Sequence, residues 1–305
     1  MERKPSTNEL ERWGRDPAQP RQVLAQWYLA KSALRSGDRD KAIDAYRKVY
    51  YESPLSPQAI DAQNLLLHLD TTPFAERYKL DRGCVDEFAL RSQQLSKAAW
   101  DEGVFDDEVV AVPIPNPKTG KIDELAKDEH MRPDTSAEKL AALKPAFRKG
   151  GVVTAGNASG IGDGAAALVI ASEKFASDRG LKPLGRLVSW GVAGVDPAVM
   201  GIGPVPASKA ALAKAGLSMD DMDLIEVNEA FAAQTCAVER ELSLPREKLN
   251  VHGGAIALSH PLAASGARIT AHLLHALRAQ GKRYGLGTAC IGGGQGIAVV
   301  VESIH

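Results

Sequence analysis

The chain has 305 residues, 44% of them hydrophobic, with 37 basic and 38 acidic side chains and a formal net charge of -1. That length and composition are those of a globular protein with one large or two smaller cores. The near balance of charge gives no global electrostatic case for nucleic acid or an anionic membrane as partner. Three cysteines argue for reduced thiols in a cytoplasm-like compartment rather than for a disulfide scaffold. The opening MERKPSTNELERWGRD has no apolar core of a secretory signal, and no window approaches the ~20 apolar residues of a membrane span. The closing Ser303-Ile304-His305 is not a peroxisomal tripeptide.

In chain order, residues 1–22 are polar, carry Pro5, Pro17 and Pro20, and read as a disordered lead-in. Residues 23–70 follow as a helical segment. Apolar residues recur at helical spacing on both sides of Ser36-Gly37-Asp38, which predicts a helix–turn–helix, and Ser56 to Leu69 predicts a further helix. Residues 74–104 read as helix, FDDEVVAVPIP as a strand-like run, and Asn116 to Pro145 as loop with a short helix. From Gly151 the pattern becomes that of a compact α/β unit. DGAAALVIAS (163–172) predicts a buried strand or helix start, and Glu173 to Gly180 a helix stopped by its glycine. GRLVSWGVAG reads as a strand, PASKAALAKAG as a helix, Leu224 to Val227 as a strand and Glu229 to Leu242 as a helix. Leu249 to Val251 is a strand, Ser265 to Gln280 a helix, and Gly285 to Ile291 with Gly296 to Glu302 two strands around a triple-glycine turn. Strands alternating with helices predict a layered α/β fold closing on an antiparallel hairpin.

Three segments place a chemically competent residue at the end of a predicted strand, where ligands gather in α/β sheets. They are Asn228 and Glu229 in VNEAFAAQ, His260 in NVHGGAIALSHPLAASGARI, and Cys290 before Gly292, Gly293 and Gly294. An amide, an imidazole and a thiol converging there would supply an oxyanion donor, a base and a second acid/base. Each also has a bland reading. A lone thiol at a strand end is usually a small buried hydrophobe. A His beside Pro is usually a turn residue, and Asn-Glu before a helix is usually an N-cap. Four segments in order, with glycines where backbone must approach a ligand, weigh against a joint accident.

NEAFAAQ, GGAIALSHPLAASGARI, CIGGGQGIA and VTAGNASGIGDGAAA resemble the signature segments of the thiolase family, the acetyl-CoA acyltransferases, over about Phe74 to Glu302. The resemblance implies a thiolase fold: here a C-terminal βαβαβαββ half at 183–303, the end of the N-terminal domain at 161–182 and a loop-domain remnant at 74–160, preceded by the short all-α hairpin. It implies Claisen condensation or thiolysis of acyl-CoA, with coenzyme A as substrate and carrier and no permanent cofactor or metal. It assigns His260 to activating a nucleophilic cysteine and donating to the thioester oxygen, and Cys290 to moving the α-proton. Asn228 would hold an oxyanion-hole water, and Gly292 would offer a backbone N–H to the other oxyanion hole. Ser159 would contact the pantetheine arm, with Ala230 and Phe231 lining its tunnel. Family members are dimers or tetramers, so a homo-oligomer is implied, with no nucleic-acid or membrane partner. Ala30, Ala33, Gly37, Ala42, Tyr46 and Pro54 resemble the small, aromatic and proline positions of one tetratricopeptide repeat.

The family's nucleophilic cysteine sits in a segment resembling C-x-S-G, which this chain does not contain. Cys84 lies in a charged helix pattern and Cys236 in the helix after NEAF. The expectation is therefore a catalytically incomplete unit that needs a partner supplying the missing thiolase half, or a non-catalytic CoA-binding or interaction module, or a recombined gene product. The apolar faces of 163–172 are expected to be strained, re-paired or self-associating. His68, in HLDTTPFAERY, loosely echoes another site-lining histidine. His252, Ser259 and Ala263 depart from the family pattern of Asn, Gly and Gly. If either glycine position needs a positive φ, a side chain there costs on the order of 1 kcal/mol or more.

Overall fold

A computed structural model describes residues 22–52, 75, 77–116, 119–146, 150–160 and 162–304. The chain divides into two compact units, Met1–Pro73 and Phe74–His305. The predicted lead-in, the helix from Ser56 to Leu69 and His68 lie outside the described residues.

The first unit is an antiparallel-type hairpin of two helices, α1 (Gln22–Ser36) and α2 (Arg39–Glu52). Gly37 has φ 82, a left-handed conformation that ends a helix at little steric cost in glycine. The hairpin buries Ala30, Ala33, Ala42, Tyr46 and Val49, and Trp27 meets the Tyr46 ring edge-on at 5.4 Å between centroids. Small residues at the seam let the helices approach closely enough for that one aromatic pair to fill the centre.

The second unit begins with α3 (Arg82–Asp101), capped by Asp81, whose carboxylate accepts from Cys84 N. A β-hairpin of β1 (Val112–Pro115) and β2 (Ile122–Leu125) follows, then α4 (Ala137–Ala141) and α5 (Glu173–Asp178). The main sheet is built from β3 (Gly185–Gly194), β4 (Leu224–Val227), β5 (Tyr284–Ile291) and β6 (Gln295–Ser303) in the order β3-β6-β5-β4. β4 is parallel to β5, and β6 runs antiparallel to both its neighbours. Helix α6 (Pro204–Ala215) covers one face with α7 (Ala232–Leu242), and α9 (Ser265–Ala279) covers the other; the short α8 (Ala255–Leu258) precedes α9. The alternation of side chains along a strand accounts for the two cores. Leu286, Ala298 and Val300 pack with α6 and α7, whereas Leu224 and Val301 pack with Ile269, Leu273 and Leu277 of α9.

The long strands and helices follow the sequence pattern, and the departures have physical causes. The strand-like run 105–115 is a strand only at Val112–Pro115, and the polar stretch after it contains β2. Pairing with Ile122–Leu125 through the Asn116–Lys121 turn, where Asn116 N donates to Lys121 O at 2.8 Å, organises both. The helix expected from Glu229 starts at Ala232, with Phe231 extended as its N-cap, because residues 228–231 are tied instead to β5, to the 154–160 loop and to the groups around Glu229. Leu249 to Val251 makes only isolated bridges, to Ile225 and Gly253. Asn250 takes a left-handed φ of 44 and uses its side-chain amide to close the edge of β4, accepting from Val227 N at 2.8 Å and donating to Val227 O at 2.9 Å.

The largest correction concerns 163–172. It is neither strand nor helix and is not buried: Val169 is 96% exposed and Ile170 81%. β3 is an edge strand, and its residues alternate. Ser189 donates to Ala211 O of α6 at 2.7 Å, and Gly191 lies flat against Ala207 of the same helix. Trp190 and Val192 point the other way and stay exposed with Ile297 of β6.

Candidate active site

Three loops and the end of β5 converge at the carboxyl side of the sheet. The 154–160 loop is folded by Asn157, which is fully buried. Its side chain accepts from Thr154 N at 2.8 Å and donates to Asp86 Oδ1 at 2.7 Å and Val152 O at 2.9 Å. A buried amide satisfied on three sides holds a loop as a disulfide would, without a covalent bond. The loop is then stitched to residues 230–232. Ser159 N and Oγ both donate to Ala230 O, at 3.2 and 3.1 Å, Ala158 bridges Phe231, and Ala232 N donates to Asn157 O at 2.9 Å. Ser159, Ala230 and Phe231 therefore share one wall, and Ala230 and Phe231 are buried.

His260 stands where this wall meets the loop before α9. Its Nε2 lies 3.2 Å from Asn228 Nδ2 and its Nδ1 2.6 Å from Ser265 Oγ. Ser265 donates its hydroxyl proton to Pro261 O at 3.0 Å, so it can only accept from the imidazole. This places the ring proton on Nδ1 and leaves the Nε2 lone pair facing the Asn228 amide. Burial, aided by the Arg268 guanidinium, pushes the His260 pKa down to about 4. The ring is thus a neutral base at neutral pH. Asn228 Oδ1 is buried and has no partner among the described residues. A buried carbonyl oxygen of that kind is set to bind a donor from a ligand or a water.

Asn228 N donates to Thr288 O at 2.9 Å, which ties the amide to β5 two residues before Cys290. Cys290 pairs with Gly296 across the hairpin, and burial pushes its thiol up to about 12. It is a protonated, weakly acidic group at rest. Gly292 is buried at the start of the turn; the left-handed conformations fall on the next two residues, Gly293 (φ 89) and Gly294 (φ 85). A Cβ on Gly294 would lie 2.4 Å from Val195 O, so this position excludes every side chain.

Glu229 is not a helix cap. It is fully buried behind Asn228 and accepts from Ser92 Oγ at 2.6 Å, Asn250 Nδ2 at 2.8 Å and Ile256 N at 3.1 Å. Burial raises its pKa, while these donors favour the charged form. The carboxylate knots α3, the β4 edge and α8 together beneath the site. Neither this role nor that of Ser265 was legible before the fold brought the partners together. The only signal for Ser265 was a hydroxyl in the first turn after His-Pro.

The sequence departures resolve differently. Ser259 has φ 75 and ψ 168, a region occupied essentially by glycine alone. Its hydroxyl donates to Gly160 O at 3.1 Å, the same carbonyl that accepts His260 N at 2.9 Å. Ala263 lies in an ordinary turn without positive φ. His252 bonds through Nδ1 to His272 Nε2 at 3.0 Å, and His272 Nδ1 meets Glu108 Oε1 at 2.7 Å. That chain lies under α9 beside Phe105.

Cys84 and Cys236 sit elsewhere, on α3 and α7 within the cluster around Phe88. Among the described residues no group of three or more His, Cys, Asp or Glu side chains is arranged to hold a metal, and no helix is long and apolar enough to cross a membrane.

Comparison with known proteins matches residues 51–174 to the thiolase N-terminal domain and 181–303 to the thiolase C-terminal domain. Human mitochondrial 3-ketoacyl-CoA thiolase is 54% identical over 247 residues, which is 81% of this chain and 59% of that protein. The crystal structure of Bacillus anthracis acetyl-CoA acetyltransferase superimposes with a TM-score of 0.76 at 50% identity, covering 78% of this chain and 60% of that one. The human mitochondrial 3-ketoacyl-CoA thiolase in complex with CoA gives a TM-score of 0.71 at 46% identity, covering 84% of this chain and 62% of that one. The chain thus spans about three fifths of the length of the relatives it matches. An α/β sheet closed by a glycine-turn hairpin, a His–Asn pair at its carboxyl end and matches to both domain models make this chain a member of the thiolase family.

Proposed function

We propose that this unit binds acyl-CoA and carries the proton-transfer and charge-stabilising part of a thiolase-type acyl transfer, while the cysteine that accepts the acyl group comes from outside these 305 residues. The names of its relatives support the reaction class. The observation that carries the division of labour is the position of the thiols. Cys290 lies at the end of β5, two residues after the Thr288 carbonyl that accepts Asn228 N, whereas Cys236 is buried in the core between the sheet and α7 and Cys84 packs against that core from α3.

In this reading, His260 Nε2 takes the proton of the incoming thiol. The resulting imidazolium then donates to the thioester oxygen; the Asn228 amide, which donates to the neutral ring, positions that ring before the proton arrives. Ser265 and Pro261 O keep the Nδ1 proton in place throughout. Cys290 exchanges the α-proton: in thiolysis its thiol proton passes to the leaving α-carbanion, in condensation its thiolate takes that proton back, and the enolate charge is held by hydrogen-bond donors such as the backbone of the 292–294 turn. Ser159, Ala230 and Phe231 hold the pantetheine arm. The exposed Trp190, Val192 and Ile297 and the bare run at 168–170 are the surfaces a complementing thiolase segment, on a second copy or a separate chain, would cover.

The test is calorimetry with CoA together with an acetoacetyl-CoA thiolysis assay. The expected result is saturable CoA binding, weakened by Ser159→Tyr, with no turnover by the chain alone and turnover on adding a thiolase fragment that carries the nucleophile. Turnover by the pure chain, or no CoA binding, overturns the reading. A second reading, a CoA-binding module without catalysis, is favoured by the strained Ser259 beside His260. It predicts binding without turnover even after complementation.

A further inference from the structure

Gly160, Gly162 and Gly164 are alternate residues of the segment that leaves the Ser159 wall, and each lies flush against a side chain around His260. A Cβ on Gly160 would stand 2.2 Å from His130 Cε1, one on Gly162 2.1 Å from Ser259 Oγ, and one on Gly164 2.8 Å from Pro261 Cγ. Two of those neighbours, Ser259 and Pro261, flank His260 in the chain. The fit at Gly162 is the most specific of the three. Among the described residues, Ser259 alone supplies atoms within 4 Å of that hypothetical Cβ. The Ser259 side chain therefore occupies the room that a side chain at 162 would need.

From there its hydroxyl donates to Gly160 O at 3.1 Å, and His260 N donates to the same carbonyl at 2.9 Å. A carbonyl oxygen has two lone pairs and can serve both donors. Both bonds are made with Ser259 at φ 75 and ψ 168. A residue with a side chain stays in so costly a region only where its surroundings over-determine it. The surroundings here are the shared carbonyl, the bare backbone at 162, and Pro261 seated on Gly164.

We propose that Ser259 is a positioning residue for His260: its hydroxyl, in the space left by Gly162, latches the His260 loop to the Gly160 carbonyl and so fixes the imidazole against the Ser159 wall. This rests on the reading of His260 as the base. The two ring nitrogens are held separately, by Ser265 Oγ at 2.6 Å and Asn228 Nδ2 at 3.2 Å. The bond from His260 N fixes one backbone atom. The bond from the preceding side chain fixes the direction in which the chain enters the residue. With the latch closed, the ring stays buried and neutral. With it open, the two loops part and water reaches the ring, which favours the charged form.

The experiment follows His260 by NMR of the isotope-labelled full chain as pH falls from neutral, with His260→Gln to assign the signal, and records thermal unfolding of the same variants. Wild-type His260 should stay neutral to near pH 4. In Ser259→Ala it should take up its proton at higher pH, moving toward the ordinary 6.5. Gly162→Ala should do the same with Ser259 intact, because the added methyl group turns the hydroxyl away from Gly160 O. In a Ser259→Gly chain that room is open. There Gly162→Ala should leave both the His260 titration and the thermal midpoint where Ser259→Gly alone puts them. The proposal is overturned if Ser259→Ala lowers the thermal midpoint while His260 titrates as in wild type, which is the behaviour of a purely structural serine. It is equally overturned if Gly162→Ala has the same effect in both backgrounds. None of these readouts uses CoA or turnover, so they are decided separately from the calorimetry and the thiolysis assay that test the proposed function.

Discussion

The run 163–172 and the hairpin of β5 and β6 are written in similar residues, small and β-branched with few charges, and they end in opposite states. Val300 and Leu286 are fully buried, whereas Val169 and Ile170 lie open to solvent. The hairpin has everything it needs within the chain. β3 and β4 pair with its two edges, and helices lie on both faces. Gly285 and Gly287 place bare backbone 3.0 to 3.2 Å, by hypothetical Cβ, from Ile269 and Leu273 of α9. An apolar run states a demand for burial; only a partner at the right place meets it.

The sharpest way to break this comparison is at Gly296, opposite Cys290 in the ladder. A Cβ there would stand 2.0 Å from Gly203 O, a backbone atom that cannot move aside, so Gly296→Ala is expected to cost about 3 kcal/mol or more in chemical unfolding. At the other extreme, Val169→Ser with Ile170→Ser should change stability by less than about 0.5 kcal/mol in the isolated chain, while lowering dye binding and self-association. A large loss from the second variant would mean that the run is packed after all.

Between these lies the acid response of His260. Its folded pKa is about 4 against an ordinary 6.5, so the unfolded chain binds the proton more readily in that window. Stability from this group is present above about pH 6.5 and is lost as pH falls toward 4, a difference on the order of 3 kcal/mol. Glu226, raised by burial to about 7, has the opposite sign: the folded chain holds its proton, and stability falls as pH rises through that range. The clean measurement is therefore the difference between wild type and His260→Gln, in which Glu226 cancels. Wild type should lose more stability on acidification than the variant.

A smaller effect separates two substitutions of Ser259. Ser259→Ala keeps the glycine-only backbone conformation and loses the bond to Gly160 O. Ser259→Gly loses the same bond but relieves the strain, so the glycine variant should be more stable than the alanine variant by about 1 kcal/mol. Equal stabilities would show that the loop is unstrained.

Much of this was legible in the chain, for reasons that particular residues make plain. β3 and the helix stops at Gly180 and Gly216 follow from alternation and left-handed glycines, which are local properties. His260 and Cys290 stand out because the segments that carry them, SHPLAASGARI and CIGGGQGIA, resemble thiolase signature segments. Ser265 and Glu229 were not legible as parts of the site, since their roles depend on Pro261 O, Ser92, Asn250 and Ile256 N, groups that only tertiary structure brings within reach. The run 163–172 was misread for the converse reason: its pattern is local, but its burial depends on a partner that the described residues do not provide.

Under the proposed function, this chain would shuttle the proton but hold no acyl-accepting thiol. Incubation with acetyl-CoA, acid quench and peptide mass spectrometry of all three cysteines tests it most directly. The account predicts no acetylation of Cys84, Cys236 or Cys290 above that of a free cysteine peptide. An acetyl group on any of them, formed faster than on that peptide and slowed by His260→Gln, would contradict it.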